Sequence, residues 1–296
     1  MIPIKRDRRD DGGSVAASNG ADGSSNGSNG ADGSSNGAYS TGYGVRKPAG
    51  SSRRRARLAP SVSVVIPTLN EAKNLPYVLG NLPPDVYEVV IVDGYSTDDT
   101  VEVARELYPH VRIVSQTRRG KGNALTCGFT ACRGDVIVAI DADGSQDPQE
   151  IPRFVEALVN DADFVKGSRF MTGGGSADIT LLRRSGNWLF TFLVNTLFHT
   201  RYTDLCYGYN AFWARNLAAL ELDCDGFEVE TLMNIRAVKA GLRVAEVPSF
   251  EERRLHGTSN LHTFRDGWRV LMTIVRERRQ AKPVMADRMM ATVDSA

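Results

Sequence analysis

Four short runs rich in β-branched residues, separated by segments of helical spacing, constrain the fold of this chain more than any other feature. Ser63-Val-Val-Ile-Pro67 and Tyr87 to Val92 read as buried strands of a parallel sheet, as do Val111 to Ser115 and Val136 to Ile140. Between the first two, Glu71 to Leu82 has helical spacing, with Asn70 as its expected cap and Pro83-Pro84 as its stop. Thr97 to Tyr108 reads as a second helix, with Val101, Ala104, Leu107 and Tyr108 on one side, and Gly122 to Cys132 as a third. Elements alternating in this order predict an α/β fold, an open sheet with helices on both faces.

Ligands of such sheets sit beyond the carboxyl ends of the strands. Polar residues stand at three of those ends: Thr68 to Glu71, Asp93 to Asp98, and Asp141-Ala142-Asp143. No GxGxxG follows the first strand, which counts against a dinucleotide-binding Rossmann enzyme. Alternate residues of an extended chain face the same way, so Asp141 and Asp143 can converge. Two such hard oxygen ligands suit Mg²⁺ or Mn²⁺, which completes its shell with waters and phosphate oxygens; a solvated turn is the plainer alternative. Asp93 and Asp98 can accept from a base N–H or a ribose hydroxyl, while Gly94 permits close approach; capping of the next helix by Asp98 or Thr97 is the alternative. Arg118-Arg119-Gly120-Lys121-Gly122 sets three cations and two glycines before a helix start, a setting for an anionic ligand or for a solvated basic loop.

Composition changes near residue 60. Residues 18–27, SNGADGSSNG, recur unchanged at 28–37, and a Gly, Ser, Asn and Asp segment cannot bury enough apolar surface to offset the entropy of ordering it. Residues 1–60 are therefore expected to be a disordered tail, ending in a basic linker of Arg53, Arg54, Arg55 and Arg57. A single domain is expected over 61–275, and a mobile tail over 276–296. With 36 basic and 35 acidic residues the net charge is +1, which gives no case for a nucleic-acid partner. Cys127, Cys132, Cys206 and Cys224 form no close CxxC pair and no secretory signal is seen, so a cytoplasmic protein is expected. The longest apolar run, Trp188 to Phe198, falls short of the ~20 residues that span a bilayer.

The segments VVIPTLNE, DGYSTD, RRGKGNA and DADGSQDP resemble, in order, the motifs of the family-two inverting glycosyltransferases of GT-A fold, a resemblance that covers nearly all of residues 62–260. It implies a Rossmann-like open mixed sheet and a nucleotide diphosphate sugar donor, UDP- or GDP-linked. It further implies that Pro67, Thr68, Glu71 and Asp93 contact the nucleoside and that Asp141 and Asp143 bind the metal. Ser96, Asp98, Lys121 and Ala142 complete the expected donor-binding set. Within the family, Lys166-Gly-Ser-Arg169, Gly173 to Gly175, Arg183-Arg184-Ser185-Gly-Asn187, an apolar helix and Asp204 are most similar to the dolichyl-phosphate-mannose-synthase-like branch. That branch joins a sugar to a polyprenyl phosphate, and its corresponding helix lies along the membrane interface. LLRRSGNWLFTFLVNTLF fits such a helix; a plain core helix is the alternative, and a peripheral place at the inner face of the cell membrane is the expectation.

An inverting transfer is one displacement at the anomeric carbon, in which a metal can stabilise the departing diphosphate. A hydroxyl acceptor also needs a general base. Glu230, eleven residues before Gly241 as the base carboxylate stands in hydroxyl-using relatives, is preferred over Glu228, with Asp204 a third candidate. A helix-start carboxylate is the alternative for Glu230. A phosphate acceptor is already ionised and needs cations, for which Arg169, Arg184, Arg253 and Arg254 are candidates. His256-Gly-Thr-Ser-Asn260 resembles the late family motif that closes over the donor phosphates, with Ser259 at its serine position and His256 a further candidate. Two departures keep a hydroxyl acceptor open. Tyr207-Gly208-Tyr209-Asn210 replaces the branch's Ser-Gly-Phe-Arg, and Asn260 stands where lysine is common, each with loss of a cation. An inactive nucleotide-sugar-binding protein is the reading from a different class, opposed by Asp141, Asp143 and Glu230. Nucleotidyl transfer would require a Gly-rich phosphate loop where Pro67 to Glu71 stands.

Overall fold

In the computed structural model, which describes residues 59–280, the β-branched runs enter a seven-stranded sheet. The expected tails over 1–58, with the arginine linker, and over 281–296 lie outside the described residues. The strands are β1 (Val62–Thr68), β2 (Glu88–Asp93), β3 (Arg112–Ser115), β4 (Val136–Ala139), β5 (Phe164–Ser168), β6 (Gly175–Ser176), β7 (Asn210–Trp213), β8 (Val244–Pro248) and β9 (Phe250–Glu251). The helices are α1 (Leu75–Gly80), α2 (Thr100–Leu107), α3 (Lys121–Ala131), α4 (Ile151–Val159), α5 (Leu181–Phe198), α6 (Leu217–Leu220), α7 (Val229–Lys239) and α8 (Thr263–Arg279). The order across the sheet is β3-β2-β1-β4-β7-β5-β8, and β6 pairs with β9 apart from it.

Alternation of side chains along each strand sends them into two cores. Val64 and Ile66 of β1 meet Leu75 and Val78 of α1 and Phe154 of α4 on one face. Val65 meets Leu125 and Phe129 of α3 and Leu232 of α7 on the other. Helices thus cover both faces, as expected. α3 lies close enough that a Cβ on Gly128 would stand 2.4 Å from Val65 Cγ1, so glycine sets that approach. A third core joins α5, α7 and α8 through Val194, Ile235 and Val270.

β7 runs antiparallel to both β4 and β5, whereas the other neighbouring pairs are parallel. The consequence is positional. β1, β2, β4, β5 and β8 end at one edge, and β7 begins there, so the segment leading into β7 arrives beside Asp141.

Three boundaries differ from the sequence reading by three residues or more. α1 starts at Leu75 rather than Glu71, because Asn70 takes a left-handed conformation (φ 58°) and its Oδ1 accepts from Thr97 N at 2.7 Å. α2 starts at Thr100, since Asp98 accepts from Ala72 N across the neighbouring loop, and Asp99 holds the cap position. α8 continues to Arg279, so the boundary drawn at 275 falls inside a helix held by ion pairs of Glu277 with Arg236 and Lys239. No helix among the described residues is long and apolar enough to cross a membrane.

Candidate active site

The edge where these strands end opens into a cleft of about 930 Å³. Pro67, Thr68 and Glu71 line one end, and Lys121, Asp141, Ala142 and Asp143 its floor. Asp141 follows β4 closely, but Ala142 and Asp143 form a turn, so the extended alternation expected past the strand end does not persist. The Asp141 backbone N–H donates to Gln146 Oε1 at 3.0 Å, and Gln146 Nε2 returns a bond to Asp141 Oδ2 at 3.1 Å, so one buried amide fixes the carboxylate. Asp143 Oδ1 accepts from Ser145 N at 3.0 Å.

Two cations bind these carboxylates together. Lys121, at the first turn of α3, places Nζ 2.6 Å from Asp141 Oδ1 and 2.8 Å from Glu230 Oε1. Burial opposes its charge, but Asp141 and Glu230 outweigh burial and hold the ammonium well above its usual pKa. Arg254, in the segment after β9, lies 3.1 Å from Asp143 Oδ2 and also pairs with Glu71. Desolvation raises the Glu71 carboxyl despite the opposing pull of Asn74 and Arg254. Asp141, Asp143, Glu71 and Glu230 against Lys121 and Arg254 leave two negative charges, a surplus that matches one divalent cation with hard oxygen ligands. Among the described residues no group of three or more His, Cys, Asp or Glu is placed to hold a metal ion.

Farther along the cleft stands Arg169, which follows β5. Its Nε is 2.7 Å from Asp204 Oδ2 and its Nη1 3.0 Å from Glu251 Oε2, and its guanidinium lies 4.8 Å from the Tyr207 ring. Burial alone would raise the Asp204 carboxyl, but Arg169 holds it below the usual carboxylate range. The same cleft has an apolar part of its lining, made by Leu182, Trp188 and Phe190 of α5 with Phe264, Trp268 and Leu271 of α8.

The cleft therefore gathers eleven of the residues singled out in the sequence: Pro67, Thr68 and Glu71; Lys121, Asp141, Ala142 and Asp143; Arg169, Glu230, Arg254 and Ser259. Others lie off its lining. Asp93 accepts from Tyr95 N and Ser96 N, Ser96 Oγ accepts from Asn70 N, and Asp98 bonds Ala72 and Thr100, so all three shape the loops that follow β1 and β2. Glu228 accepts from Gly226 N at 3.1 Å at the start of α7. Asp204 is fully buried beneath Arg169. Arg184 turns over the Phe170 ring, Arg253 donates to the Ala177 carbonyl, and His256 is exposed, its carbonyl accepting from Arg254 and Asn74.

Several lining residues escaped the sequence reading. Arg183 lines the cleft where Arg184 was chosen, because consecutive helical residues point about 100° apart. Gln146, which holds Asp141 from outside the lining, carried no signal except its nearness to Asp143. Phe264 and Trp268 stand four apart in a polar helix, a spacing that marks one face and could have been noticed. Asn210, noted for its lost cation, is buried on β7, with Nδ2 donating to Gly208 O rather than reaching the cleft.

The family model for Glycosyl transferase family 2 matches residues 63–221. An undecaprenyl-phosphate mannosyltransferase of Micrococcus luteus is 37% identical over 207 residues, 66% of this chain and 85% of that protein. A polyprenol monophosphomannose synthase of Mycolicibacterium smegmatis is 33% identical over 226 residues, 70% of this chain and 83% of that one. Among solved structures, a glucosyl-3-phosphoglycerate synthase from Mycobacterium tuberculosis, in complex with Mn²⁺, UDP-glucose and phosphoglyceric acid, matches with a TM-score of 0.60. It is 27% identical, and the match covers 74% of this chain and 80% of that one.

Proposed function

The chain belongs to glycosyl transferase family 2, and from that premise we propose that it transfers a hexose, with inversion, from a nucleotide diphosphate sugar to a polyprenyl phosphate. The observation that carries the acceptor assignment is that a single cleft is lined by the carboxylates at the strand ends, by Arg169 and by aromatic residues of α5 and α8. A charged headgroup with an apolar tail fits that combination of surfaces.

In this reading Pro67, Thr68 and Glu71 receive the nucleoside, on loops shaped by Asp93, Ser96 and Asp98. Asp141 and Asp143 hold Mg²⁺ or Mn²⁺, which when bound supplies positive charge to the leaving diphosphate. Lys121 and Arg254 are the chain's own cations at that end, able to turn from carboxylate to phosphate. Arg169, oriented by Asp204 and Glu251, meets the acceptor phosphate, with Arg183 and Ser259 on neighbouring walls. Arg184, Arg253 and His256 hold the surrounding segments in place. An ionised phosphate needs no base, so Glu230 serves as the counter-ion that places Lys121, and Glu228 as part of the turn that starts α7. The similarity of the Micrococcus and Mycolicibacterium enzymes, named for undecaprenyl-phosphate and polyprenol substrates, supports the acceptor class. The Mn²⁺ and UDP-glucose of the Mycobacterium synthase structure support a divalent ion and a nucleotide sugar.

The same reading sets the protein against a membrane surface as a peripheral protein, with the described residues as one catalytic domain. Trp188 is 68% exposed and Phe264 83%, with Leu181, Phe192 and Trp268 exposed beside them, which a core helix would not tolerate.

The test is a panel of UDP- and GDP-hexoses with undecaprenyl phosphate or hydroxyl acceptors, in Mn²⁺, Mg²⁺ or EDTA. Expected is product with the lipid phosphate, lost in EDTA and in Asp141→Asn, and retained within about tenfold in Glu230→Gln, because removal of a true general base costs 10²–10⁴-fold. Product confined to hydroxyl acceptors and abolished in Glu230→Gln overturns the acceptor assignment. Absence of metal-stimulated turnover with every donor leaves a binding protein instead.

A further inference from the structure

Lys166, on β5, is fully buried, and no step of the transfer described above uses it. Burial, the largest influence, holds its pKa below the usual lysine value against the pull of Asp204 and Glu246. An amine in such a place is costly, and a methionine would fill the volume at a lower desolvation penalty. The group it serves is a single backbone oxygen: Nζ donates to the Tyr207 carbonyl at 2.7 Å.

That carbonyl belongs to the segment Thr203 to Gly208, which has no helix or strand of its own. Side chains from other elements hold it instead. Glu246 of β8 accepts from Thr203 N and Asp204 N, and Asn187 of α5 accepts from Leu205 N and Cys206 N. Asn234 of α7 donates to Leu205 O, and Lys166 secures the last step before Gly208. Gly208 then passes directly under the donor end of the cleft. A Cβ there would stand 2.9 Å from both Asp141 Oδ2 and Lys121 Nζ, so the 2.6 Å ion pair of those two residues sits against this backbone.

We propose that Lys166 is a positioning residue: its bond to the Tyr207 carbonyl sets the height of Tyr207-Gly208 beneath the Asp141–Lys121 pair, and so the place where a diphosphate is received. The nucleoside end, at Pro67 to Glu71, lies on other loops and is indifferent to it. The proposal rests on the glycosyl-transfer reading.

The experiment measures, by calorimetry at fixed Mn²⁺, the affinities of UMP, UDP, GMP and GDP for wild type, Lys166→Met, Gly208→Ala and the double variant, with thermal melts alongside. The expected result is an unchanged monophosphate affinity in Lys166→Met and a preference for diphosphate reduced by about tenfold. Gly208→Ala should do the same, and the double variant should lose no more than the larger single, because both act through one backbone step. If Lys166→Met does not fold, Lys166→Gln, whose shorter side chain draws its donor away from the Tyr207 carbonyl, is read in its place. A lowered melting temperature with an unchanged diphosphate preference makes Lys166 purely structural and overturns the proposal. A wild type that does not prefer diphosphate over monophosphate overturns the glycosyl-transfer reading, and the proposal with it.

Discussion

Replacing Lys121 by methionine tests the charge arrangement of the site in one step. Its ammonium is shared between Asp141, whose side chain is 28% exposed, and Glu230, whose side chain is 4% exposed. Removing one partner of a buried ion pair costs about 3–5 kcal/mol, because the other charge is left uncompensated. Glu230 should bear that cost in full, whereas Asp141 recovers part of its hydration, so the lower end, about 3 kcal/mol, is the expected total. For a domain of this size each kcal/mol moves the melting temperature by roughly 2–4 °C, which gives a fall of roughly 6–12 °C. Differential scanning calorimetry in EDTA reads this directly. Added Mn²⁺ should raise the melting temperature of Lys121→Met more than that of wild type, since it meets an Asp141 carboxylate no longer neutralised. Turnover should stay low, because the cation facing the diphosphate is gone. A shift below about 2 °C, or an equal Mn²⁺ effect on both proteins, would refute the shared ion pair as a term that matters.

Two further outcomes follow from the geometry. Asp204→Asn should cost about 3 kcal/mol at neutral pH. Because Arg169 holds the Asp204 carboxyl below its usual range against burial, that stabilisation is present above about pH 4 and fades as the pH falls through the lowered folded-state value. Urea midpoints from pH 7 to 3 should therefore show a constant gap that narrows only below about pH 4; a gap that widens in acid contradicts the pairing. Trp188→Ala and Trp268→Ala, each removing an exposed indole, should each weaken sedimentation with phosphatidylglycerol vesicles by roughly tenfold, at about 1–2 kcal/mol of half-buried aromatic surface. Unchanged vesicle binding in both variants removes α5 and α8 from the membrane surface.

The sequence exposed what is written in neighbouring residues. β1, β2, β3 and β4 were legible because β-branched runs bounded by turns have few other fates, and Asp141 with Asp143 because they follow a buried strand at the edge where such sheets bind ligands. The whole extent of α5 was legible too, yet whether its aromatic residues face a core or solvent was not, since that depends on how many helices pack against it. The local reading failed where a tertiary hydrogen bond outcompeted a local one. Asn70 is a reasonable cap, but Thr97 on the next loop offered its Oδ1 a better partner, and the helix start moved to Leu75.

The site's electrostatics were decided entirely by tertiary structure. Arg254 reaches Glu71 across 183 positions of sequence, Asp204 lies under Arg169 because β7 and β5 adjoin, and Glu230 meets Lys121 because α7 and α3 cover the same sheet face. The sequence alone determined that acidic and polar groups would gather at one edge of a sheet, since strand periodicity is local. Which carboxylate is paired with a lysine and which with an arginine is set by neighbours from distant elements, and only the order and direction of the strands could decide it.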